Sequence, residues 1–183
     1  FSPDGKWLIS GDWGGTIRIW EKEVPAGAAI TRVIHQEGPT GPYGSINSGQ
    51  TQVTSLAFSP DGKYLATGGR NGIVRVWDTE AWHEVTSVDD AIVVSAIAFS
   101  PDGKMVASGE DCFQITCDAT VRIWNATNGE EIVKMMHNDS VLSLAFSPGG
   151  EYLATATRDA TVQIWEVNSG RRVAHMFLSL IHI

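Results

Sequence analysis

Residues 58–78 read FSPDGKYLATGGRNGIVRVWD, and this stretch decides the fold. Ser59-Pro60-Asp61-Gly62 is a type I turn sequence: proline's fixed φ suits the second position, and glycine suits the fourth. The flanking runs Val53–Phe58 and Tyr64–Gly68 are short and rich in strand-forming residues. A second turn, Gly69-Arg70-Asn71-Gly72, leads into Ile73–Trp77. There the two-residue period of a strand points Val74 and Val76 one way and Arg75 and Trp77 the other.

The same unit recurs three more times. FSPDGKWLISGDWGGTIRIWE starts at Phe1, FSPDGKMVASGEDCFQITCDATVRIWN at Phe99 and FSPGGEYLATATRDATVQIWE at Phe146. The closing tryptophans are Trp20, Trp77, Trp124 and Trp165; their spacings of 57, 47 and 41 residues reduce to a period of 41 with insertions of 16 and 6. The Val/Ile alternation repeats at Ile17/Ile19, Val121/Ile123 and Val162/Ile164. A fourth strand follows each, as at His83–Val88 and Glu131–Met136. Four short antiparallel strands per repeat, apolar on both faces, suit a sheet held between two neighbours like itself.

With this motif and period the chain closely resembles the WD40 repeat family over residues 1–177. The resemblance implies an all-β propeller section of four four-stranded antiparallel blades, expected to belong to a larger, seven-bladed ring. Blade 1 spans about 1–35 and is truncated, an insertion covers 36–52, and blades 2, 3 and 4 span about 53–90, 91–137 and 138–177. The chain opens with Phe1 inside a turn motif, so an upstream portion is expected. Residues 178–183, Leu-Ser-Leu-Ile-His-Ile, match one translated frame of a sequencing adapter and are set aside as a non-native tail.

The family also implies a hydrogen-bonded set in each blade: a His, a Ser or Thr, a turn Asp and the Trp. The fourth repeat has all four as His137, Thr155, Asp159 and Trp165. The third has Ser108, Asp118 and Trp124, with Asp90 at the His position. The second has Thr67 and Trp77, with Asn71 for the Asp and His35 lying across an insertion. The first has Ser10 and Trp20, with Gly14 at the Asp position. A His beside a carboxylate resembles a catalytic pair, but in this setting it reads as structural.

Composition narrows function. Hydrophobic residues make up 43% and charged residues 19% of 183, which is ordinary for a globular protein. A net charge of −8 disfavours contact with phosphate backbones, so nucleic acid is not an expected partner. The longest apolar runs, Ala91–Phe99 and Val173–Ile183, are too short to cross a bilayer, and no membrane partner is expected. With two cysteines and no secretory signal, the default compartment is cytosolic. Cys112 and Cys117 cannot alone fill a zinc shell; free thiols are expected, with a local disulfide as the alternative. There is no phosphate loop, nucleophile elbow or dinucleotide fingerprint, so no catalytic residue, metal or cofactor is assigned.

The remaining signal is a face. In the resembled family, the loop into the innermost strand and the loop between the second and third strands open on one rim. Both insertions, Gln36–Gln52 and Glu110–Cys117, fall there. So does the variable residue before the turn Asp position: Trp13, Arg70, Cys117 and Arg158. An aromatic and two arginines at repeated loop positions are typical protein-contact anchors. The expected function is a non-enzymatic scaffold binding a protein or peptide, with Trp13, Arg70 and Arg158 as candidate contacts. The alternative is a regulatory or targeting propeller of a larger enzyme or signalling NTPase, whose catalytic domain lies outside these residues. The opposite rim, carrying the Ser-Pro-Asp-Gly turns, is the rival binding surface.

Overall fold

A computed structural model of the chain describes residues 1–21, 52–89, 93–111 and 119–178 in full, and the backbone of 32–35. Fifteen strands occupy them. The first sheet has three, β1 (Trp7–Gly11), β2 (Thr16–Glu21) and β3 (Arg32–His35), in that order. The second runs β4 (Val53–Phe58), β5 (Tyr64–Gly69), β6 (Ile73–Asp78) and β7 (Glu84–Asp89). The third runs β8 (Val93–Phe99), β9 (Met105–Asp111), β10 (Ala119–Asn125) and β11 (Glu131–His137). The fourth runs β12 (Val141–Phe146), β13 (Tyr152–Thr157), β14 (Thr161–Glu166) and β15 (Arg171–Phe177). Every pairing is antiparallel, so the blade architecture expected from the repeat is the one observed. The first sheet begins at the strand equivalent to β5, because Phe1 stands where Phe58, Phe99 and Phe146 end β4, β8 and β12.

Each sheet packs on the next through its two-residue alternation. Ile17 and Ile19 meet Leu65 and Trp77 of the second sheet. Ala66, Val74 and Val76 face forward onto Val94, Ile97, Phe99 and Val106 of the third. Ala107, Val121 and Ile123 face forward onto Val141, Leu153 and Trp165 of the fourth. Leu65 and Ala66 are adjacent in sequence yet lie in different interfaces, as a strand buried on both faces requires.

The closest approach between sheets is made by glycine. A Cβ on Gly11 would stand 2.5 Å from Val53 Cγ1; on Gly68, 2.5 Å from Val94 Cγ1; on Gly109, 2.7 Å from Val141 Cγ1. In each case the valine is the first or second residue of the next sheet's innermost strand, so the missing side chain lets the strands nest. Hydroxyls reinforce two of these contacts. Thr54 Oγ1 donates to Val94 O, and Ser95 Oγ donates to Val141 O at 2.5 Å.

The turns that lead into the second strand of each blade, the a–b turns, share one backbone bond. The glycine N–H of each donates to the serine carbonyl at 2.9 Å, from Gly5, Gly62, Gly103 and Gly150, all with φ between +69° and +79°. Ser2, Ser59 and Ser100 donate their hydroxyls to Asp4, Asp61 and Asp102 at 2.5, 2.7 and 2.6 Å. Those serine bonds hold the three carboxyls below the usual aspartate range. The stability they add is therefore present above about pH 3.8 and lost as pH falls below it.

Two non-glycine residues occupy left-handed backbone where sister blades have glycine. Ala160, at φ +61°, takes the place of Gly15 and Gly72; Trp82, at φ +56°, takes that of Gly129 and Gly170. Trp82 offsets its strain by burying its ring in the interface with the first sheet, edge-on to Trp7 at 6.0 Å. Ala160 is exposed and has no such compensation. Ala160→Gly should therefore raise stability by about 0.5–1 kcal/mol. Trp82→Gly should instead cost roughly 3–5 kcal/mol despite relieving its strain. Chemical denaturation of the two variants checks both signs.

Candidate functional site

All four blade tryptophans donate their indole N–H to a Ser or Thr on the neighbouring strand. Trp20 reaches Ser10 at 3.3 Å, Trp77 reaches Thr67 at 3.1 Å, Trp124 reaches Ser108 at 2.8 Å and Trp165 reaches Thr155 at 3.2 Å. The last three bonds are buried, while the first is exposed. His137 adds its Nε2 to Thr155 Oγ1 at 2.8 Å and lies against the Trp165 ring at 5.0 Å. Burial pushes its pKa down to about 4, so the ring is neutral in the folded protein.

The fourth member of the set is placed differently from the expectation. Asp159 accepts Thr157 Oγ1 at 2.6 Å and Thr161 N at 3.1 Å, so its hydrogen bonds secure the turn rather than the His137 ring. Burial opposes its ionisation, yet the Thr157 and Thr161 donors keep its carboxyl below the usual range. The N–H it satisfies, four residues before the blade Trp, has an equivalent acceptor in every sheet. Thr16 N donates to Asp12 at 3.0 Å, Ile73 N to Asn71 at 3.2 Å, and Thr120 N to Glu110 at 2.8 Å. Thus Gly14 is not a gap in the pattern: Asp12, two residues earlier, does the work. Glu110 does it in the third sheet and is 2% exposed. Asp12 and Glu110 stand at equivalent places once the six-residue insertion is removed, a signal present in the sequence but unread there. Asp118, Asp90, Cys112 and Cys117 lie outside the described residues, as does the side chain of His35.

The b–c turns, which join the second and third strands of each blade, lie together at one rim of the stack. Trp13 is 76% exposed there, held out by a turn in which Gly14 N and Gly15 N both bond to Asp12. Arg70 is half-buried, its backbone N–H bonded to Gln52 O at 2.9 Å. Arg158, a candidate contact, does not project freely. Its Nη2 donates to Asp111 Oδ1 of the preceding sheet at 2.9 Å, an ion pair with the arginine side chain 50% exposed. This ties the third sheet to the fourth. Among the described residues no cluster of His, Cys, Asp or Glu has the arrangement of a metal centre.

The chemistry of this arrangement is structural: buried donors satisfied by fixed acceptors, with loop residues displayed beyond them. Thr155→Val would strand both the Trp165 N–H and His137 Nε2 and should cost roughly 2–4 kcal/mol. Ser10→Ala, at an exposed bond, should cost under about 0.5 kcal/mol. His137 gives a separate pH signature. Its folded pKa lies below the unfolded value of 6.5, so its stabilisation is complete above pH 6.5 and lost as pH falls toward about 4. The loss amounts to roughly 3 kcal/mol. His137→Gln should flatten the melting temperature in that window while leaving the steeper fall below pH 3.8.

Comparison with known proteins agrees with this geometry. The family model described as WD domain, G-beta repeat matches residues 1–21, 42–78, 83–125 and 130–166. Protein HIR1 of Yarrowia lipolytica is 29% identical over 180 residues, covering 85% of this chain and 17% of that protein. Coronin-7 of Pongo abelii is 32% identical over 111 residues, 58% of this chain and 12% of that protein. Transcription initiation factor TFIID subunit 5 of Caenorhabditis elegans is 27% identical over 157 residues, 85% of this chain and 21% of that protein. The chain thus spans about a fifth or less of the length of these relatives. With four matched repeats, four stacked antiparallel sheets and an indole bond in each, the chain belongs to the WD40 repeat family.

Proposed function

We propose that this chain is a non-enzymatic protein-interaction scaffold whose partner face is the rim of the b–c turns. The observation that carries the reading is Trp13, a large aromatic left 76% exposed on a turn that its own hydrogen bonds make rigid. A preorganised aromatic loses little conformational entropy on binding, which is why tryptophan recurs at the energetic centres of interfaces. Arg70, at the equivalent place in the next sheet, adds planar donors for carboxylates or peptide carbonyls. Arg158 contributes to the same rim through its exposed half, but it also serves as a tie between sheets.

The WD40 family match supports a scaffold role. Similarity to a subunit of a transcription initiation factor supports a multi-subunit assembly as the setting, with transcription-related proteins as partners. Among the described residues no helix is long and apolar enough to cross a membrane. The compartment, cytosolic by composition, is part of the proposal, and so is any catalytic domain elsewhere in a longer protein.

The test is affinity capture from lysate with quantified recovery, comparing variants on the two rims. Trp13→Ala should weaken capture by roughly 30-fold with the melting temperature unchanged, and Arg70→Ala should weaken capture as well. Arg158→Ala should weaken capture and also lower stability by up to about 1 kcal/mol through loss of the Asp111 pair. Capture lost with Asp61→Lys but retained with Trp13→Ala would move the site to the opposite rim.

A further inference from the structure

The a–b turn rim carries one break in the repeat. Three turns hold an Asp–Lys pair, Asp4/Lys6, Asp61/Lys63 and Asp102/Lys104; the fourth has Gly149/Glu151. In the intact turns the charges offset one another, with Lys63 Nζ 3.4 Å from Asp61 and Lys104 Nζ 4.0 Å from Asp102. At the fourth, the carboxylate side chain is gone from the turn and the cation is replaced by an acid. The Glu151 carboxylate folds over Gly149, where a Cβ would stand 2.5 Å from its Oε2.

A groove of about 310 Å³ lies between the third and fourth turns, lined by Pro101, Asp102, Met105, Pro148, Gly149 and Gly150. Two prolines and a methionine give it apolar walls. Asp102 lines one flank, and the Glu151 carboxylate lies over Gly149, which lines the other. We propose that this groove is a second docking site, on the rim opposite Trp13, that takes an arginine side chain from a peptide partner. The methylene stem would lie along Pro101, Pro148 and Met105, as long cationic side chains do on apolar surface. The guanidinium would reach Asp102 Oδ2 and Glu151, a pair of acceptors suited to its planar fork. Asp102 Oδ1 is already committed to Ser100 and to Lys104 N, which fixes the carboxylate's orientation. Lys104 Nζ is the intramolecular rival, but its side chain is 81% exposed and 4.0 Å away, so it is a weakly held competitor.

The repeat itself supplies a variant that should fold. Gly149→Asp with Glu151→Lys restores the Ser-Pro-Asp-Gly-Lys turn found in the other three blades. The probe is the peptide acetyl-Gly-Leu-Arg-Leu-Gly-amide, followed by nuclear magnetic resonance of the Gly149 and Gly150 amides and the Met105 methyl. Saturable shifts at these positions are expected, absent with the citrulline analogue, which keeps the shape and removes the charge. The double variant, read at the Met105 methyl, should bind at least about tenfold more weakly. Glu80→Lys, which makes a single acid-to-lysine exchange in the second blade, should change affinity by less than about twofold. Shifts that fail to saturate at these residues, equal binding of the citrulline peptide, or equal weakening by the double variant and Glu80→Lys would each overturn the proposal. Because Trp13 and Arg70 lie on the other rim, their capture experiment can fail without touching this result.

Discussion

The structure depends on three places where a valine of one sheet enters the space left by a glycine of the sheet before it. Gly11 takes Val53, Gly68 takes Val94 and Gly109 takes Val141. These contacts set the distance between the second strand of one sheet and the innermost strand of the next, and the larger packing follows. With the strands nested, Val74 and Val76 meet the third sheet, and Val121 and Ile123 meet the fourth. The hydroxyls of Thr54 and Ser95 can then span to the next sheet's carbonyls. The fourth sheet departs from this pattern on its outward face, with Ala156 and Leu142 where the others have glycine and Thr or Ser.

Rigidity inside each sheet comes from a second, local device. An indole N–H meets a hydroxyl, and a backbone N–H four residues before that Trp meets a side-chain acceptor. The acceptor may come from strand end or turn, as Asp12 and Glu110 or Asn71 and Asp159 show. What is fixed is the bond, because an unmet buried N–H is costly; the residue that makes it is free to vary. A frame held this way needs no help from the Trp13 side chain, which stands exposed at its turn. Function on such a scaffold belongs to the residues that the frame displays, and the two docking proposals place it at Trp13 on one rim and at the groove beside Gly149 on the other.

The fold was legible because its determinants are periodic. Strand alternation, Ser-Pro-Asp-Gly turns and the tryptophan spacing of Trp20, Trp77, Trp124 and Trp165 all report it in one dimension. The indole partners Ser10, Thr67, Ser108 and Thr155 were legible for the same reason. Asp12 and Glu110 are not legible from a residue type at a fixed position, because the physical requirement attaches to the N–H. The Arg158–Asp111 pair was hidden because its members lie 47 residues apart, in different sheets. Periodicity also conceals its own exceptions: Gly149 and Glu151 read as noise in a repeat until the groove beside Gly149 is seen.

A double-mutant cycle at Gly68 and Val94 tests the nesting contact most directly. Position 68 lies in a strand with φ outside the left-handed region, so alanine there should ordinarily stabilise by about 0.4–1 kcal/mol. The account predicts the opposite sign, a loss of roughly 2 kcal/mol, because the new methyl meets Val94 and Ile97 at 2.5 and 2.7 Å. Val94→Ala should relieve that clash, so the double variant is more stable than the two losses summed by at least about 1 kcal/mol. A Gly68→Ala variant as stable as the parent, with no coupling to Val94, would contradict it.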